Sequence, residues 1–268
     1  MKIAVCIRGE LRTWFKAKDN IFSMFPKDAD YFFTTWNKVH NPYLEKVEYP
    51  DINEITESFK DRNLVEIKVL PLKIDNSIIA DKISLLMATQ MFECNMLKKK
   101  NELKHSFVYD YVFCIRPDVI YFRKPFTVDE IKSVSQDPWV LESDGCFSSA
   151  NSFGGLYSPD LFLGGQSSTM DIVSDYYFYL KAEHNRNYLY TYDTTHNTFA
   201  EHLHNCRFVL SNKLISRDKL EILRPHVTDI DVTDISESNK QYIHATSKDW
   251  YVIDDGSVYK FLNEELDQ

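Results

Sequence analysis

The sequence predicts an α/β fold, a mostly parallel sheet flanked by helices, and three observations carry that prediction. Two β-prone runs, residues 2–7 and 109–115, are almost wholly apolar or aromatic, as strands buried on both faces of a parallel sheet are. A third run, Val65–Leu70, alternates apolar and polar residues, which marks a strand with one solvated face or a place at the sheet edge. Stretches of helical period separate these runs, giving the strand–helix order of a doubly wound sheet.

Residues 2–7 form the first strand and open onto the turn Arg8-Gly9-Glu10-Leu11-Arg12, ahead of a helix that reaches about Phe22. Gly9 lets backbone N–H groups approach a ligand at a helix start, where the dipole favours anions, and Arg8 and Arg12 add positive charge there. The second strand begins at Ala29 and ends in Thr34-Thr35-Trp36; Trp36 either stacks on a planar base or caps the core. Residues 37–62 are irregular around Pro42 and Pro50, with a short helix near 53–60. Residues 76–104 carry the longest helical pattern, in which Met87, Met91 and Met96 read as core filler rather than as a binding box.

The strand at 109–115 then stops at Pro117, which has no N–H to offer a ladder. Arg116 and Asp118 therefore emerge at the carboxyl end of a central strand, the edge at which open α/β sheets bind ligands. The plainer reading of the two is an ion pair at a strand end. A helix over 127–135 capped by Thr127, a strand over 139–142 and a loop-and-hairpin region over 142–160 follow. Helical period returns over 166–181 and 195–205, and the last sixty residues read as short strands and turns. Neither an internal repeat nor a linker interrupts residues 1–268, so a single domain is expected.

Composition narrows the function classes. An apolar fraction of 44% and an aromatic fraction of 14% supply a substantial core. The formal charge of −9, from 31 basic and 40 acidic residues, argues against a nucleic-acid partner, whose phosphates need a basic surface. Five scattered cysteines without a CxxC pair point to a reducing, cytoplasmic setting. The amino terminus is too short in apolar residues for a signal peptide, and no apolar run nears the roughly 18 residues of a membrane span, leaving room only for peripheral membrane contact.

The segments Ile7–Trp14, Phe33–Trp36 and Tyr109–Val112 leading to Arg116-Pro117-Asp118 resemble, in this order, bacterial and phage nucleotide-sugar glycosyltransferases of the GT-A type found among surface-polysaccharide genes. The likeness continues through Ser158–Gly165 and the helix with Met170, and again at His196–Leu203. It implies a GT-A-like, Rossmann-like fold, with residues 1–122 as the nucleotide-sugar-binding half and 123–268 as the acceptor-side half and tail. It also implies a nucleotide-diphosphate sugar as donor, with Arg8, Gly9, Arg12, Thr35 and Trp36 near the nucleotide, and a surface glycan or lipid-linked precursor as acceptor.

This chain departs from the family where Asp-X-Asp commonly binds Mn²⁺ or Mg²⁺: it carries Arg116-Pro117-Asp118. Either Asp118 still holds the cation together with the diphosphate, or Arg116 grips the phosphate bidentately without a metal. Residues Tyr242–Trp250 are similar to the His-x-x-x-x-Lys-Pro-Trp stretch of retaining members, one residue short and with Asp249 in place of Pro; the likeness implies His244 as a metal ligand, and a packed turn is the alternative.

Glycosyl transfer requires the leaving diphosphate to be neutralised and, in an inverting enzyme, a carboxylate to take the acceptor proton. Candidates for that base are Asp144, Asp160 and Glu201, with Asp160 foremost because it stands in a Gly-rich stretch expected to face the cleft; a turn or capping role is the alternative for Asp160. His196 and His204 share a helical face with Ala200, but no HExxH spacing appears, which disfavours a zinc hydrolase. The rival from another class is a non-catalytic sugar- or nucleotide-binding protein on a transferase-like fold, motivated by the missing first aspartate.

Overall fold

The computed structural model describes residues 1–41, 46–72, 82–133, 137–142, 161–183, 199, 201–203, 205–207, 213–216, 220–222, 250–252 and 258–260. The elements begin with β1 (Ile3–Arg8), α1 (Trp14–Met24), β2 (Asp30–Trp36), a small hairpin of β3 (Val39–Asn41) and β4 (Lys46–Glu48), α2 (Ile52–Glu57) and β5 (Asn63–Leu70). The long helix α3 (Lys82–His105) leads to β6 (Tyr111–Ile115), β7 (Val119–Tyr121), α4 (Val128–Lys132) and β8 (Trp139–Glu142). Then come β9 (Phe162–Gln166), α5 (Ser167–Ser174), α6 (Tyr176–Glu183), β10 (Lys213–Ser216), β11 (Leu220–Ile222), β12 (Trp250–Val252) and β13 (Val258–Lys260).

Seven strands form the central sheet in the order β10-β8-β9-β6-β1-β2-β5. β5, β2, β1 and β6 run parallel, as do β8 and β10, whereas β9 is antiparallel to both of its neighbours. The sheet is mostly parallel, as expected, and β9 makes it a mixed one. β9, Phe162–Gln166, is an interior strand of the sheet with Phe162–Gly165 buried. Packing explains the glycine: a Cβ on Gly164 would stand 2.7 Å from Phe113 Cδ1, so the strand lies against that ring only without a side chain.

Strand alternation divides the core into two layers. Ile3, Val5 and Ile7 face α1, α2, β7 and α4, where Trp14, Phe22, Phe33 and Phe59 make a mutually stacked and edge-on aromatic group. Ala4 and Cys6 face α3, α5 and α6. Cys6, Cys94 and Cys114 are buried there as small apolar residues, and burial pushes the Cys94 thiol well up, so it stays protonated. β5 lies at the sheet edge with mostly half-buried residues, as its alternation predicts. Thr127 caps α4 in a reciprocal capping box with Glu130. The helical period over 166–181 resolves into two helices that meet at Asp175, and 37–62 contains the β3–β4 hairpin besides its helix.

The order of the first four sheet strands positions the site. The chain steps outward from β1 to β2 to β5, and α3 then carries it back to β6 on the other flank of β1. The direction of winding reverses between β1 and β6, and the crevice outside the carboxyl ends of these strands is where open α/β sheets bind ligands.

Candidate functional site at the β1–β6 switch point

Register brings the predicted residues together. Ile7 pairs with Ile115, and Arg8 pairs with Thr34, so the ends of β6, β1 and β2 lie side by side. The turn after β1 and the turn after β6 touch directly: a Cβ on Gly9 would stand 2.7 Å from Pro117 Cδ. Gly9 has a φ of +144°, which an L side chain rarely adopts, and its N–H donates to the Thr34 carbonyl at 3.2 Å. Glycine is required here by conformation and by space.

The arginines are held in different ways. Arg8 is buried at the end of β1, with Nε 3.5 Å from Cys114 Sγ. Arg12 Nε donates to Glu10 Oε2 at 2.6 Å, both side chains partly exposed. Arg116 forms a fork with Asp118, Nε to Oδ1 at 2.8 Å and Nη2 to Oδ2 at 2.7 Å. Arg116 and Asp118 do pair, but not as the solvated surface pair of the plainer reading. The Asp118 side chain is 3% exposed and the Arg116 side chain 23%, so the acid is the more buried partner. Asp118 and Cys114 also act on the fully buried Tyr121, whose phenol is pushed up first by burial and then by these two groups.

Beyond the pair the chain enters β7, whose outward partner is β11 and whose inner partner is a side chain. Buried Asn20 donates Nδ2 to the Tyr121 carbonyl at 3.0 Å and accepts from the Tyr121 N–H at 2.8 Å, acting as a substitute strand. This contact anchors the segment that follows Asp118 to α1. On the β2 side, Thr35 and Trp36 are buried, so the Trp36 ring is not presented to solvent. Among the described residues, Thr35 Oγ1 and, on α3, Gln90 Nε2 are buried and meet no hydrogen-bond partner, while Thr34 Oγ1 donates to the Gln90 carbonyl at 3.3 Å. Buried polar groups left unpaired are uncommon and call for an explanation such as a water or a ligand. Gln90 was invisible as a site residue in the sequence, where it is one polar position within a long helix.

Arg8, Gly9, Thr35, Trp36, Arg116 and Asp118 thus converge on three neighbouring strand ends, and Arg12 lies in the turn that leads from them to α1. Glu201 belongs to another neighbourhood: Leu203 beside it packs with Tyr176 and Phe199, and His202 Nε2 lies 3.0 Å from the Ile172 carbonyl. Asp144, Asp160 and His244 lie outside the described residues. Phe162 pairs with Ile115, so β9 starts at the carboxyl end of β6, and Asp160 precedes Phe162 by two positions in the sequence.

Two further features bear on chemistry. Among the described residues, no group of three or more His, Cys, Asp or Glu side chains is arranged to hold a metal ion. Each oxygen of Asp118, the expected ligand, accepts one hydrogen bond from Arg116. A groove of about 1320 Å³ opens elsewhere, along α1 and α2, lined in part by Phe15, Lys18, Asn53, Glu57 and Arg62. None of the strand-end residues borders it, and both basic and acidic side chains line its walls. No described helix is long and apolar enough to cross a membrane. No family model matches the chain, and no curated protein matches it.

Proposed function

We propose that the protein is a glycosyltransferase that binds a nucleotide-diphosphate sugar across the carboxyl ends of β1, β2 and β6 and moves the sugar to a hydroxyl of a surface-glycan or lipid-linked acceptor. The observation that carries this reading is the meeting, at the switch point of the sheet, of two turns that bear arginines, packed so closely that Gly9 touches Pro117. The resemblance of the same segments to GT-A transferases supports it.

In this reading the start of α1 receives the nucleotide, since the helix presents its positive end there. Among the described residues, Arg8, Arg12 and Arg116 place positive charge beside Glu10 and Asp118 in these turns, and that positive charge would meet the negative charge that the diphosphate accumulates as the glycosidic bond breaks. Asp160 is the proposed base for the acceptor hydroxyl, on the strength of its place just ahead of β9 in the sequence.

The test is thermal denaturation with UDP, GDP and CMP, followed by donor hydrolysis and transfer assays with the nucleotide sugars of whichever base binds. A specific nucleoside diphosphate at a hundred times its Kd adds about 2.7 kcal/mol, or roughly 5–10 °C in Tm for a chain of this size. No shift with any nucleotide refutes the reading. Binding without turnover of any donor favours the non-catalytic alternative, which the engagement of Asp118 by Arg116 independently supports.

A further inference from the structure

We propose that the groove along α1 and α2 binds the acceptor, a neutral oligosaccharide that lies along α1 with its reacting end toward the switch point. The inference rests on the nucleotide-sugar reading above and deepens it by naming where the acceptor chain is held.

The groove has the position and size for a chain. It is bordered by Phe15 in the first turn of α1, by Lys18 and Phe22 further along, and by Lys27 beyond the helix end. α1 starts directly after the turn that carries Arg12, so the groove begins at the donor-site end of the helix. From there it follows 11 helical residues, a run of roughly 16 Å. Its volume of about 1320 Å³ exceeds the roughly 300–1,000 Å³ usual for one small ligand. An open trough of that length suits linked units rather than a single one.

Its walls are fixed before any ligand arrives. Trp14 Nε1 donates to Ser58 Oγ at 3.0 Å, and the same indole stacks on Phe59. Arg62 Nη2 donates to the Phe22 carbonyl at 2.8 Å, which ties the segment after α2 to α1. A cleft set in advance lowers the ordering cost of binding.

The lining favours uncharged hydroxyls. Four basic and four acidic side chains border the groove among the described residues, so their formal charges cancel and no net field draws a polyanion in. Of these eight, only Lys18 and Asp19 are ion-paired among the described residues. The others, Glu57 and Lys60 among them, leave charged acceptors and donors for hydroxyl groups. Phe15 is 48% exposed among these polar groups, and the negative face of its ring attracts the C–H side of a sugar ring.

Two orphaned atoms lie behind the wall. Arg62 Nη1 and the hydroxyl of fully buried Tyr31 meet no hydrogen-bond partner among the described residues. The Tyr31 ring packs edge-on against Phe22, and Arg62 is near enough to act electrostatically on the phenol. Such buried, unpaired atoms call for a water or a ligand group. A hydroxyl, which both donates and accepts, is able to satisfy a guanidinium and a phenol together.

The experiment titrates the isotope-labelled full chain with maltohexaose, cellohexaose, mannohexaose and chitohexaose, with hexagalacturonate as the anionic comparator, and follows the backbone amide resonances. UDP, GDP and CMP are titrated separately. At least one neutral hexasaccharide is expected to move the amides of residues 15–27 and 53–62 and to leave those of β9 and α6 in place. Hexagalacturonate should bind about tenfold more weakly. Phe15→Ala should weaken the neutral sugar by about tenfold and leave nucleotide affinity within about twofold, and Glu57→Gln should weaken the sugar by about threefold.

Absence of shifts from all four neutral sugars, tighter binding of hexagalacturonate, or full sugar affinity in both variants overturns the proposal, whether or not a nucleotide binds. Sugar shifts in the groove without any nucleotide binding uphold the groove as a glycan site and refute the transferase reading instead.

Discussion

Replacing Gly9 by alanine tests the contact on which the switch-point site is built. The new Cβ would stand 2.7 Å from Pro117 Cδ and 3.3 Å from Pro117 Cγ, whereas carbons at rest lie about 3.5–4.0 Å apart. One turn must therefore retreat by roughly an ångström, and overpacking of that kind costs about 1–3 kcal/mol. Separately, an L residue held at the φ of +144° is strained by on the order of 1–3 kcal/mol. The expected loss is about 2–6 kcal/mol, a large share of the 5–15 kcal/mol typical of a folded protein. Urea unfolding followed by tryptophan fluorescence reads it, since Trp14 is fully buried beside Phe59. A double-mutant cycle with Pro117→Ala separates the two causes, because removing the ring relieves the clash and leaves the backbone strain. Gly9→Ala should then cost about 1–3 kcal/mol less in the Pro117→Ala background. Equal costs in both backgrounds, or a cost below about 0.5 kcal/mol in the wild type, would show that the two turns do not meet as described.

Three other perturbations probe the frame around the site. Lys98→Met removes an ammonium that is wholly buried between Ser167 Oγ at 2.7 Å, Asp171 Oδ1 at 2.8 Å and Glu102 Oε2 at 3.1 Å; it should cost about 3–5 kcal/mol in chemical denaturation, with part recovered by adding Glu102→Gln. Asn20→Ala strips both backbone partners from Tyr121 and should cost roughly 2–4 kcal/mol by the same measurement, with β7 exchanging its amide protons faster. Burial holds the His202 imidazole below its usual value of 6.5, against the raising influence of the Ile172 carbonyl and Asp175. A depressed histidine stabilises the fold fully above the unfolded value and loses that contribution as pH falls below it, so His202→Gln should flatten the stability profile on the acid side of about pH 6.5. An unchanged profile would show that His202 is not buried against α5 and α6.

Local sequence determined the elements that one strand or one helix can specify alone. The unbroken run up to Ile115, the stop at Pro117 and the alternation of Val65–Leu70 each report burial through side-chain period, and the structure gives a central strand, a turn and an edge strand there. The capping role of Thr127 was legible because Glu130 three residues later completes a local box. The arginines and Gly9 stood out for the same reason: charge and conformational freedom at a strand end are local properties.

Only the tertiary structure decided what depends on partners distant in the chain. β9 was not legible as a strand, because what fixes its glycine at 164 is the ring of Phe113, about fifty residues earlier, which excludes a Cβ there. Lys98 looked like one of three helix-end lysines, yet Ser167 and Asp171 from another helix enclose it. Arg116 and Asp118 were recognisable as a pair, but which of them is buried, and that Gly9 clamps the proline between them, follows from sheet order. Sequence period reports whether a side chain is buried; it carries no record of what buries it, because that neighbour is set by how strands are ordered across the sheet.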